Sequence, residues 1–221
     1  MDAPMAIATD AGMLTLAQWL SPAYPVGGFA YSHGLETEIE RGAVHDGKTL
    51  AEWIETVLIH GSGRNDALFL AAAYRAEDED AVARIDQTCR AFAASAERLK
   101  ESAQQGLAFC EITGAVWQLQ LSGLTYPVAI GRAARLQGLP LRPTAQMFLQ
   151  AFVSTLAAVG MRLVPLGQTE GHRIIRRLAS RHADLAADTE NGDLGNLSST
   201  AFRADIASMR HETQYSRIFR T

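Results

Sequence analysis

Residues 144–164 read TAQMFLQAFVSTLAAVGMRLV, and their apolar positions Met147, Phe148, Ala151, Phe152, Leu156, Val159 and Leu163 recur every three or four residues. That is the spacing of one helical face, not the alternation of a strand. The run from Pro143 to Met161 carries no charge and approaches the roughly 20 residues of a membrane span. Gln146, Gln150, Ser154 and Thr155 interrupt it, so it reads as a central helix of a buried core. A second uncharged run, Thr113–Gly131, holds Gln118, Gln120, Ser122, Gly123 and Pro127 and reads the same way.

Helical periodicity continues outward in both directions. Upstream, Met13–Leu20 is stopped by Ser21-Pro22, and His33–Arg41 sets Leu35 and Ile39 on one face. Thr49–Glu52 has the form of a capping box before the stripe Leu50, Trp53, Ile54, Val57 and Leu58. Asn65-Asp66 is expected to cap the next helix, and Glu77–Asp80 to form a turn with acids at a helix start. Ala81–Phe92, Ser95–Cys110, Ile112–Leu121 and Val128–Leu136 follow as further helices. Downstream, Gly171–His182 is amphipathic, Asp184–Asn196 reads as a mobile connection, and Leu197–Met209 as a weak last helix. With 37 alanines and seven prolines among 221 residues, the chain favours helix throughout. The expectation is an all-α, single-domain globular bundle of roughly ten helices over residues 1–209. A basic, aromatic tail, 210–221, completes it.

Charge narrows the partners. A formal charge of −4 argues against nucleic acid and anionic membranes. Eighteen of the 20 basic residues are arginine, a residue suited to bidentate pairs at protein interfaces. Two cysteines, Cys89 and Cys110, make neither a disulfide scaffold nor a zinc ribbon. Met1–Gly12 lacks a basic stretch followed by an apolar one, so the expected location is the cytoplasm.

Catalytic signatures are missing: no GxxxxGK[ST], GxSxG, HExxH or GxGxxG occurs. The six histidines include no pair three to five residues apart that could share a metal on one helix face. The residues therefore point to a non-enzyme with no cofactor and no resident metal.

Two segments are unlike ordinary loops. In 21–36, which opens at Ser21, Pro22 and Pro25 forbid a helix through positions 21–25, Gly27 and Gly28 permit positive φ, and Phe29, Tyr31 and Glu36 follow. With Tyr24 and Val26 it is either a loop folded over the core or an apolar docking surface. The second segment, 209–221, gathers Arg210, His211, Glu212, Tyr215, Arg217, Phe219 and Arg220. It is either a frayed end or a tail that orders on a partner, burying Ile218 and Phe219 while its arginines meet carboxylates.

The blocks LSPAYPVGGFAYSHGLE, YPVAIGRAARLQGLP, LVPLGQTEGHRII and DIASMRHETQYSRIFR, in that order, resemble the UreF-type urease accessory proteins and span nearly the whole chain. Ala30 and His33 depart from the family's usual FSYSQGLE pattern, which gives His33 no special role. The resemblance implies an all-α, cytoplasmic homodimer that bridges UreD (also called UreH) and the GTPase UreG. It also implies a non-catalytic scaffold in GTP-dependent nickel insertion into apo-urease. Two other roles stay open: donating an arginine to the GTPase, or carrying nickel, for which a His-rich tract is missing.

Overall fold

The computed structural model describes residues 10–220, which form ten α-helices and two short 3-10 turns with no strand. Helices α1 (Asp10–Trp19) and α2 (Leu35–Glu40) bracket the proline-containing loop. Then come α3 (Gly47–His60), α4 (Ser62–Arg75), α5 (Glu79–Ala91), α6 (Ala96–Trp117) and α7 (Tyr126–Leu136). After them run α8 (Leu141–Leu163), α9 (Gln168–Asp188) and α10 (Phe202–His211).

Helix α8 is the axis of the core, as its periodicity requires. Phe148, Leu149, Val153, Leu156 and Ala157 are buried where it meets α9, α3, α4 and α7. It is long and apolar enough to cross a membrane, yet half of its most apolar window lies inside the fold. Helices α4 and α7 pack along much of their length. A Cβ on Gly131 would lie 2.1 Å from the Leu70 carbonyl oxygen, so the approach depends on that glycine.

Several boundaries differ from the sequence reading. The capping box of α3 starts at Asp46: its carboxylate accepts from Thr49 N at 2.8 Å, and Thr49 Oγ1 accepts from Asp46 N at 3.1 Å. Thr49 is thus the third helical residue and not the cap. Helix α4 begins at Ser62, so Asn65 is not a cap but a buried bracket that bonds Ser198 with both amide atoms. The two helices expected at Ser95–Cys110 and Ile112–Leu121 are one, capped by Ser95 and closed at Gln118. The expected mobile connection 184–196 is largely ordered. Helix α9 runs on to Asp188, Arg75 Nε donates to the Glu190 carbonyl at 2.6 Å, and Gly192 sits against the Ala72 backbone. Small and polar composition looks like a linker; here it allows close backbone packing.

Candidate functional site

In the loop before α2, Ser21 Oγ accepts from Ala23 N at 3.2 Å, and the exposed Pro22 and Pro25 keep the chain out of helix. Gly27 adopts φ +74°, after which Gly28–Ala30 make one 3-10 turn. The aromatics then divide. Tyr24 shares a 2.7 Å hydrogen bond with Thr113, and Tyr31 donates to Gln104 at 2.8 Å, both rings buried. Phe29 stands 73% exposed. The segment is therefore folded over the core at two tyrosines and open to solvent at Phe29.

The tail closes onto this loop. Glu36, buried at the start of α2, accepts from Ile218 N at 2.7 Å and Phe219 N at 2.9 Å. Its carboxylate also meets His211 Nε2 at 3.1 Å, while His211 Nδ1 lies 2.7 Å from Glu97. Arg217 donates to the other oxygen of Glu97 at 2.7 Å, Glu212 accepts from Ala96 N at 2.9 Å, and Arg220 N donates to the Ala30 carbonyl at 2.7 Å. Two backbone donors and an imidazole on one carboxylate order residues that composition alone would leave frayed. Phe219 is buried in this arrangement beneath the Arg162 guanidinium, 5.0 Å from its ring centroid. The expectation that a partner buries both Ile218 and Phe219 is corrected for Phe219, which the chain's own core encloses; Ile218 remains exposed.

Between loop, α8 and tail lies a cleft of about 450 Å³ walled by Tyr24, Phe29, Phe148, Phe152 and Phe219. Its floor is ionic. Arg98 pairs with Glu101 and reaches Asp66 at 3.7 Å; His33 Nε2 lies 3.0 Å from Glu101 and 3.2 Å from Arg98. Burial, then the neighbouring guanidinium, push the His33 imidazole below its ordinary value and toward the neutral form. Burial alone would raise Glu101, but Arg98 and His33 hold it down to about 2. Asp66, farther from the shared guanidinium, is pushed up by burial to about 7.

Nearly every residue singled out in the two segments thus falls in one place, although the segments lie some 180 positions apart. Arg210 and Tyr215 are exposed without a described side-chain partner there. Six participants were missed: Glu97, Arg162, His33 and, with His33 in the ionic floor, Asp66, Arg98 and Glu101. Glu97, in the first turn of α6, carries only the signal of an ordinary helix-start acid, and Arg162 that of a helix-end base. His33, given no special role above, is buried at φ +55° in the ionic floor. Among the described residues, no group of three or more His, Cys, Asp or Glu could hold a metal ion.

The sequence that builds this site has known relatives. A family model described as UreF matches residues 44–179. The urease accessory protein UreF of Ruegeria pomeroyi is 54% identical over 98% of this chain and 100% of its own length. That of Roseobacter denitrificans is 49% identical over 97% and 96%, and that of Bradyrhizobium diazoefficiens 44% over 96% and 92%. Identity at this level, sustained over both joined segments and the core helices between them, means that the chain belongs to the UreF family, which is named for an accessory and not a catalytic role.

Proposed function

We propose that the chain is a non-catalytic scaffold of urease maturation. With UreD (UreH) and the GTPase UreG it promotes GTP-dependent insertion of nickel into apo-urease, in the cytoplasm and as a homodimer. The observation that carries this reading is the joining of loop 21–36 and tail 210–220 into one surface through Glu36, His211 and the Arg220–Ala30 backbone bond. Phe29, Tyr215 and Ile218 project from these segments with most of their apolar area in water. Burying each would stabilise a complex by about 1.5–3 kcal/mol. The missing nucleotide motif fits the same division of labour, with the phosphate chemistry residing in a partner. For the homodimer, α10 offers an exposed stripe of Phe202, Ile206 and Met209, spaced as one helical face.

Phe29→Asp tests the reading. The side chain is exposed, so the melting temperature should stay within about 2 °C of wild type. Copurification with UreD and UreG should fall sharply, because a carboxylate would be desolvated at the interface. Unchanged copurification would remove the loop from the docking surface.

A further inference from the structure

His211, the last residue of α10, is fully buried between carboxylates from two other helices. Its Nδ1 lies 2.7 Å from Glu97 of α6, and its Nε2 lies 3.1 Å from Glu36 of α2. An ionised carboxylate only accepts hydrogen bonds, and a neutral imidazole donates from one ring nitrogen alone. With both acids ionised and the ring neutral, one of the two contacts would set lone pair against lone pair. The geometry closes only if the three side chains share one further proton, on the ring or on one of the acids.

Charge gives the same count. From the tail, Arg217 donates to Glu97 at 2.7 Å and to the His211 carbonyl at 3.4 Å. The other charged groups that α2, α6 and the chain after α10 bring to this end of the helix are engaged elsewhere. Glu38 pairs with Arg41 and Arg203, Arg98 with Asp66 and Glu101, and Glu212 accepts from the Ala96 amide. Glu36, Glu97 and Arg217 thus surround the ring with one negative charge in excess unless the extra proton is present. Leaving such a charge buried and uncompensated is costly. The same two acids fasten the tail, Glu36 through the Ile218 and Phe219 amides and Glu97 through Arg217.

We propose that Glu36, His211 and Glu97 form a proton-operated latch for residues 212–220, closed while the shared proton is held and opened by its loss. Helices α2 and α6 are fixed by the core, so opening frays His211 from the end of α10 together with the tail. In the open form all three groups face water, where carboxylates are ionised and an imidazole is mostly neutral above about pH 7. The closed form then holds one proton more than the open one. Closure is therefore favoured at lower pH and weakens as pH rises. The bearing of the latch on partner docking rests on the functional reading above; the latch itself does not.

Amide hydrogen exchange of the full chain tests the latch, with rates corrected for intrinsic base catalysis and the amides of α8 as the internal reference. Between about pH 7 and 9, opening at Ile218 and Phe219 should rise relative to α8, by up to about tenfold per pH unit for one proton released. E97Q is the second arm. A glutamine there can accept from Arg217 through its oxygen and donate to His211 Nδ1 through its nitrogen, leaving Nε2–H for Glu36. The triad is then fully paired without the extra proton, so E97Q should keep the tail closed across that range, its opening changing by less than about twofold. Wild-type protection that does not vary with pH would overturn the proposal. So would a pH dependence that E97Q retains, or an E97Q tail open throughout. Copurification with UreD and UreG at both ends of the range separates the latch from the functional reading. Loss at the alkaline end in wild type but not in E97Q ties docking to the latch. Unchanged copurification by a chain whose latch opens would count against the loop–tail docking surface and leave the latch standing.

Discussion

Asp66 and Glu101 approach one guanidinium, Arg98, from different helices, and burial leaves them in opposite states. Glu101 has the shorter contact and His33 besides, so its folded value lies below its ordinary one. It contributes stability above about pH 4.5 that is lost as pH falls toward 2. Asp66 is raised from 3.8 to about 7, so the folded state holds its proton more tightly than the unfolded chain does. Its ionisation therefore costs stability progressively as pH rises from about 4 through 7. Asp66→Asn removes that cost. Thermal melts should show the variant above wild type at pH 8, with a smaller gap at pH 5. A gap that stays constant with pH would mean that Asp66 is not held protonated by its burial.

At the scale of elements, the tail is a strap fastened at one apolar point. Phe219→Ala should destabilise by about 3 kcal/mol through the cavity it leaves under Arg162. Ile218→Ala, at an exposed neighbour, should stay within about 0.5 kcal/mol. Denaturant titration of the two variants separates a docked strap from a frayed end, for which both effects would be small. The α4–α7 crossing tests a different kind of contact. Gly131→Ala would set a methyl 2.1 Å from the Leu70 carbonyl, an atom fixed in a helix backbone. The helices must part, at about 2–3 kcal/mol, measurable in the same titration.

For the whole molecule, the outer face of α10 leaves three large apolar side chains in water on one helix. Phe202, Ile206 and Met209 face out, while Ala204, Ala207 and Ser208 pack inward. The proposed homodimer predicts that Ile206→Asp keeps the helical circular-dichroism signal of the fold and shifts the sedimenting species from dimer to monomer. A dimer that persists would place self-association on another face. The fold beneath does not depend on that answer, because α8 gathers α3, α4, α7 and α9 within one protomer.

The helices were legible in the sequence because 3.6-residue periodicity and alanine content are local properties. The apolar stripes at Leu50–Leu58 and Met147–Leu163 needed no neighbours to be seen. The two unusual segments were legible too, as aromatic and proline-rich or arginine-rich runs out of place in a loop and a chain end. Where a helix starts was less so: Asp46 and Thr49 both suit the cap of α3, and Asn65 that of α4, until the backbone fixes the start. Only the tertiary structure decided that Glu36 and Phe219 meet, that Tyr31 is buried while Phe29 is not, and that His33 joins Arg98 and Glu101. Each of those outcomes depends on contacts between residues 65 to 183 positions apart, and periodicity along one helix carries no information about which helix lies beside it.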